Sequence, residues 1–270
     1  MGYTGKDFDF CVLIPCYNNL QGLKASLNSI RYHDGKYLIV IVDDGSEIPL
    51  QGTDFLQNDV LQLPIQIICL AENKGITFAL NTGLRWITDN VNCTYVARLD
   101  CGDTCDPRRF YLQMEYLSVN TDVVLLGSCC YFQMPGKKFT YKHKAPELHD
   151  SIQRAMYFRN VFIHPTVIFK LEVAQKLNFY PYEYPYAEDY ALFWEMMNTG
   201  KTAILPLYLV VCEVNKKGIS QKNRIKQLHN RVVIVKKFGR KFVLRSLGIL
   251  KIRILMKIPY SFILYVKKFI

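Results

Sequence analysis

The chain has 270 residues, half of them hydrophobic and 13% aromatic, which supports a sizeable core and excludes a disordered chain. Its nine cysteines are an odd number without a Cys-x-x-Cys pair, so buried, reduced thiols are expected and thiolate metal binding is not. The net charge of +11 averages two unlike parts: residues 214–270 hold 16 of the 34 Lys and Arg and no acid, while the other 18 face all 23 Asp and Glu, so a mildly acidic front carries a basic tail.

Met1 to Asp9 is polar and lacks the apolar core of a signal peptide. No stretch reaches the roughly 18 uncharged apolar residues that span a bilayer, so a cytoplasmic protein is expected. Phe10 to Ile14 reads as a buried first strand and ends in Pro15-Cys16-Tyr17-Asn18-Asn19. Leu20, Leu23, Leu27 and Ile30 recur at helical spacing. Tyr37 to Val42 is a second strand running into Asp43-Asp44-Gly45-Ser46, and Leu63 to Leu70 a third. Asn73-Lys74-Gly75 opens a helix to about Thr88. Thr94 to Leu99 is a fourth strand ending in Asp100-Cys101-Gly102-Asp103. Asp106-Pro107 then reads as N-cap and first residue of a helix to Ser118, and Asp122 to Ser128 as a fifth strand. Met134 to Lys144 is basic and polar, a loop or hairpin. Glu147 to Tyr157 reads as helical, and Phe162 to Phe169 leads from a turn at His164-Pro165 into a strand. A Tyr- and Pro-rich loop, Tyr180 to Tyr186, precedes a helix begun by Ala187-Glu188-Asp189 and closed by Gly200. Thr202 to Cys212 is the last strand.

This alternation predicts an α/β fold with a mostly parallel central sheet and helices on both faces. Parallel neighbours present their carboxyl ends on one edge, so the turns PCYNN, DDGS and DCGD converge there, where open α/β sheets bind ligands.

Each motif has a functional and a plain structural reading. Asp43 and Asp44 can accept from a nucleobase or ribose, or make an Asx turn. Asn73 and Lys74 stand at a helix N-terminus suited to phosphate, or cap and solvate it. Asp100 and Asp103 suggest a cation carrying a phosphate ligand, or a solvated turn with Gly102 supplying tight geometry. Glu188 and Asp189 are candidates for a general base, or acids favoured in a first helical turn. His164 before Pro165 is a turn residue or a ligand. With carboxylates supplying hard oxygens, Mg²⁺ or Mn²⁺ fits better than Zn²⁺. Tyr182, Tyr184 and Tyr186 are candidates for a sugar-binding face. No Walker or GxGxxG pattern occurs.

In order, PCYNN, VDDGS, ENKGITFALNTGL, YVARLDCGDTCDPRRFYLQ, HPTVIFK and AEDYALFWEMMNTGK resemble the family 2 glycosyltransferases of the Rossmann-like GT-A fold, over about Phe10 to Cys212. The likeness is greatest to bacterial enzymes that build O-antigen, lipooligosaccharide (lipopolysaccharide) or capsule. The resemblance implies a GT-A domain over 1–213 and a basic helical tail over 214–270. It implies nucleotide-sugar contacts at Pro15, Tyr17, Asp43, Asp44, Asn73, Lys74, Arg98 and Asp100. It also implies a divalent metal, Mn²⁺ or Mg²⁺, at Asp100 and Asp103, with Asp189 as catalytic base. The family pattern reads Asp-x-Asp-Asp, and Gly102 stands where the direct metal ligand is usual, so Asp103 or Asp100 takes over or metal dependence weakens.

The implied reaction is inverting transfer of a sugar, UDP-linked by preference, to a hydroxyl of a glycan or lipid-linked oligosaccharide. Lys74 or Arg98 would neutralise the leaving diphosphate. The tail alternates Lys and Arg with apolar residues, notably over Arg231 to Lys241 and Leu247 to Ile258. It suits an anionic membrane surface at the inner face of the plasma membrane, or packing back on the domain. No nucleic-acid module accompanies the charge, so nucleic acid is not the expected partner. The rival functions are a non-catalytic nucleotide-sugar-binding scaffold, suggested by Gly102, and a sugar nucleotidyltransferase.

Overall fold

The computed structural model describes residues 3–55, 63–133, 141–214 and 222–258. Apolar runs without polar alternation need cover on both faces. Strand β1 (Asp7–Cys16) shows how that is met. Phe10, Val12 and Ile14 enter one core, Cys11 and Leu13 the opposite one, and all five are fully buried. β2 (Tyr37–Asp43) divides in the same way, Ile39 and Ile41 against Leu38, Val40 and Val42. Helix α1 (Leu20–Ser29) covers the first face through Leu23 and Leu27. β3 (Ile65–Cys69) pairs in parallel with β2, and helix α2 (Ile76–Asn90) covers the second face through Ala79, Leu80, Leu84 and Ile87.

β4 (Asn92–Arg98) lies parallel to β1 on its other side. The DCGD turn is followed by a two-residue strand, β5 (Thr104–Cys105), and helix α3 (Arg109–Val119). Asp106 and Pro107 precede that helix rather than start it. The Arg109 N–H bonds to the Asp106 carbonyl at 2.9 Å, and the Asp106 carboxylate accepts from the Arg108 N–H at 2.9 Å. The Asp106–Arg108 ion pair thus builds a turn that displaces the predicted helix start.

β6 (Val123–Gln133) and β7 (Tyr141–His143) pair antiparallel, while 134–140 fall outside the described residues. Helix α4 (His149–Met156) follows, then a 3₁₀ turn at His164–Thr166, β8 (Ile168–Lys170) and a short helix α5 (Leu171–Lys176). Helix α6 (Glu188–Thr199) precedes β9 (Lys201–Glu213). Gly200 ends α6 with extended backbone, not the left-handed cap expected. A Cβ there would meet Val124 Cγ1 at 2.4 Å, so close packing is what excludes a side chain.

The sheet order is β3-β2-β1-β4-β8-β6-β9-β5, with β7 on β6. β1, β2, β3 and β4 run parallel, β6 and β9 run parallel to each other, and β8, β5 and β7 pair antiparallel. This is the mostly parallel sheet read from the sequence.

The tail forms α7 (Arg224–Phe238) and α8 (Phe242–Lys257). Leu228, Val232, Ile234, Val235 and Ile252 join the core that α2 and α6 share. Gln227 and Asn230 donate to the carbonyls of Tyr186 and Pro185, each at 2.8 Å. α8 leaves Val243, Leu247, Leu250 and Ile254 outside, each 49–66% exposed. Among the described residues no helix is long and apolar enough to cross a membrane. All nine cysteines are free.

Candidate functional site

Register fixes where the motifs meet. Asp43 lies beside Cys16 on one side and Cys69 on the other. Arg98 lies beside Leu13, which brings Asp100 to the same rim. The rim has two halves, separated by the end of β1.

The first half joins PCYNN, DDGS and ENKG. Asn18 N–H donates to Ser46 Oγ at 2.8 Å, and Glu47 N–H to Asn18 Oδ1 at 2.9 Å. Asn19 Oδ1 accepts from Gly22 N–H and caps α1. Asp44 accepts from the N–H groups of Lys74 and Gly75, at 2.9 and 3.0 Å on separate oxygens. Burial raises its pKa above the usual carboxylate range, against those two hydrogen bonds. Asp44 therefore aims the loop before α2, with Asn73 and Lys74 exposed at its tip. The Lys74 ammonium has a loose, solvated pairing with Glu72 at 3.5 Å and lies 5.1 Å from the centre of the Phe78 ring. Tyr17 is 49% exposed beside this loop and Pro15 is half-buried. Residues 18–20, 46–48, Leu50 and Asp54 line a cleft of about 410 Å³ here.

Asp43 does not fit its expected nucleotide contact. It is 1% exposed, with Ser46 N–H and Oγ–H on one oxygen and Leu50 N–H on the other. This is the Asx-turn role.

The second half joins DCGD, the His164 turn and the start of α6. Asp100 accepts from Arg98 Nη2 at 2.7 Å. Burial raises the Asp100 pKa, while the positive charges of Arg98 and Arg109 lower it. Arg98 is fully buried and also donates to the Leu13 carbonyl and to His164 Nε2. Its guanidinium therefore lies beneath the rim, and the expectation that it contacts the diphosphate is corrected: it supports Asp100 from below. His164 Nε2 also meets the Tyr180 hydroxyl at 2.8 Å. Burial, with Arg98 adding to it, holds the His164 pKa well below the usual imidazole value. His164 is a neutral member of this network. Asp103 is 6% exposed and accepts from Glu213 N–H at 2.7 Å. Burial raises its pKa well above the usual range, with the Asp100 charge adding to it.

Asp189 accepts from Tyr190 N–H at 2.7 Å and from Asn160 Nδ2 at 2.9 Å. Burial raises its pKa to about 6; the Tyr190 N–H opposes this, and the Asp100 charge adds to it. Glu188 is 6% exposed, and among the described residues its Oε2 has no hydrogen-bond partner. Burial and then Asp189 raise its pKa to about 7. Of the loop tyrosines, Tyr184 is buried with its hydroxyl on Lys237 Nζ, and Tyr182 stays exposed.

Several residues that matter here carry no sequence signal of their own. Asn160 orients Asp189. Asn81 of α2 brackets Tyr180, donating to its carbonyl and accepting its N–H at 2.8 and 3.0 Å. Arg231 of α7 places positive charge where it lowers the Asp189 pKa. Glu213 is the last residue of β9 and, like the recognised acids, lies at a strand end, but it belongs to no motif.

Comparison with known proteins shows the family and the fold. The Glycosyl transferase family 2 profile matches residues 11–175, a stretch that ends before Glu188 and Asp189. The amylovoran biosynthesis glycosyltransferase AmsE of Erwinia amylovora is 32% identical over 200 residues, covering 71% of this chain and 70% of its own. The crystal structure of S. aureus TarS 1-349 in complex with UDP-GlcNAc superposes with a TM-score of 0.66 at 15% identity, covering 90% of this chain and 70% of that one. The mannosyltransferase PcManGT from Pyrobaculum calidifontis, in complex with GDP-Man and Mn²⁺, gives a TM-score of 0.60 at 20% identity over 86% of this chain and 64% of that one. The chain has the GT-A fold and belongs to glycosyl transferase family 2, a family of inverting glycosyltransferases.

Proposed function

We propose that this glycosyltransferase moves a hexose from a nucleoside diphosphate sugar, UDP by preference, to a hydroxyl of a growing surface glycan carried on lipid. The observation that carries the reading is that Asp189 lies within electrostatic reach of Asp100. Two acids from distant motifs sit close enough for the Asp100 charge to raise the Asp189 pKa. A half-buried base of pKa about 6 is ionised at neutral pH yet basic enough to take a proton.

Asp189 removes the acceptor hydroxyl proton as that oxygen attacks the anomeric carbon. The bond from the anomeric carbon to the diphosphate oxygen breaks on the opposite face, and its electron pair leaves with the diphosphate. The transition state is oxocarbenium-like and configuration inverts, as in single-displacement glycoside chemistry. Asn160 and the Tyr190 N–H hold the carboxylate in orientation. Tyr17, and Asp44 through the loop that it holds, serve the nucleoside end, with Asn73 and Lys74 beside the phosphates. A divalent ion fits the donor chemistry of this rim, which offers hard carboxylate oxygens at Asp100. When bound, such an ion would neutralise charge on the leaving diphosphate. The relative named for amylovoran biosynthesis supports a glycan acceptor.

The tail is proposed to rest on an anionic membrane at the inner face of the plasma membrane. Val243, Leu247, Leu250 and Ile254 form one exposed stripe of α8, at the i, i+4, i+7, i+11 spacing of a single face. By helical periodicity Lys251 flanks it on one side and Arg253 and Lys257 on the other. That pattern suits an in-plane helix at a lipid surface that holds the acceptor.

The test is a thermal-shift screen of nucleotide sugars, followed by transfer assays with Mn²⁺ and Mg²⁺. Release of nucleoside diphosphate supports transfer. Release of pyrophosphate would mark a nucleotidyltransferase, and binding without turnover a scaffold.

A further inference from the structure

Gly102 lies in the middle of the DCGD turn with φ +104. A Cβ built there would meet Glu213 Oε2 at 3.3 Å and Asn19 Nδ2 at 3.7 Å. A carboxylate from the end of β9 therefore borders the space that an acidic side chain at position 102 would use. Local pairing brings it there. β5, directly after the turn, pairs antiparallel with β9, Thr104 beside Val211 and Cys105 beside Val210. Asp103 then accepts the Glu213 N–H at 2.7 Å. Asp103 is consequently occupied in fixing the end of β9, whereas the Glu213 side chain is exposed.

We infer that Glu213 supplies the divalent cation with the carboxylate oxygen that Gly102 lacks, acting with Asp100 and the diphosphate oxygens of the donor. The inference rests on this rim being the donor site. One oxygen of Asp100 is held by Arg98, and the other is free to ligate. Asp103 is a positioning residue rather than a ligand. Among the described residues no three His, Cys, Asp or Glu side chains group closely enough to hold an ion by themselves. That is the expected state for a site with one or two protein carboxylates completed by substrate phosphate. The ion should therefore bind weakly to the protein alone and tightly with a nucleoside diphosphate.

The experiment follows Mn²⁺ binding to the full chain by loss of the free-ion EPR signal, without nucleotide and with UDP, GDP or dTDP. The wild type is expected to bind Mn²⁺ more tightly with a nucleotide than without. Glu213→Gln should weaken that nucleotide-dependent binding by about 10–100-fold, the range for removing a partner from a metal site. Its melting temperature and its metal-free nucleotide affinity should be unchanged. Asp103→Asn keeps an acceptor for the Glu213 N–H and should retain more Mn²⁺ affinity than Glu213→Gln. Equal Mn²⁺ affinity in wild type and Glu213→Gln overturns the assignment and leaves the donor site standing. A wild type that binds none of the three nucleotides, with or without Mn²⁺, overturns the donor-site reading and the assignment with it.

Discussion

Asp189 and Asp43 show how environment decides what a carboxylate does. Asp43 spends both oxygens on its own turn. Asp189 is half-buried and, among the described residues, held by Tyr190 N–H and Asn160, and its pKa rises to about 6. The base form exists above that value, so kcat/KM should climb as pH rises through about 6 and fall away below it. Because Glu188 titrates near 7 beside it, the profile reports the pair rather than one residue. A profile flat from pH 5 to 8 would contradict this. Gly45 is a second case. It has φ +69, and a Cβ there would lie 2.2 Å from the Glu72 carbonyl carbon. Gly45→Ala should cost more than the roughly 1–2 kcal/mol of a left-handed alanine, read as a lowered denaturation midpoint, because the ENKG loop must move.

At the scale of elements, the buried strands and long helices were legible because continuous apolar runs and 3.6-residue spacing carry them. What was not legible depended on distant partners. β5 has two residues and no period, and it exists because β9 lies beside it. Asp43 and Asp44 are indistinguishable in a DDGS string. Both are buried, and their partners tell them apart: Asp43 is held within its own turn, Asp44 by the N–H groups of the ENKG loop. Arg98 read as a phosphate contact because sequence does not show that its side chain turns under the sheet toward Leu13 and His164. Asn160 was invisible for the same reason: its one informative contact is with Asp189. Asn81 is the clearest tie between elements, since one amide satisfies both backbone groups of Tyr180. Asn81→Ala orphans them, at about 1–3 kcal/mol for each buried group. Chemical denaturation should show that loss, and an unchanged midpoint would contradict the tie.

At the scale of the whole molecule, two parts of opposite charge share one core. α7 packs on the catalytic domain and puts Arg231 near Asp189, so the tail and the site are physically linked. α8 packs through Ile252 but leaves an apolar stripe outside. Leu250→Asp should reduce sedimentation with anionic liposomes without lowering the melting temperature, since Leu250 is 56% exposed. Binding that ignores both the variant and added salt would contradict a lipid-facing stripe.

All three scales meet in the claim that Asp189 takes the acceptor proton within the donor site. The most direct measurement compares Asp189→Asn with the wild type in both turnover and donor affinity. Turnover should fall by about 10²–10⁴-fold, the usual worth of a positioned base, while donor affinity stays near that of the wild type. Full activity in the variant, or loss of donor binding that accounts for the whole drop, would contradict the assignment.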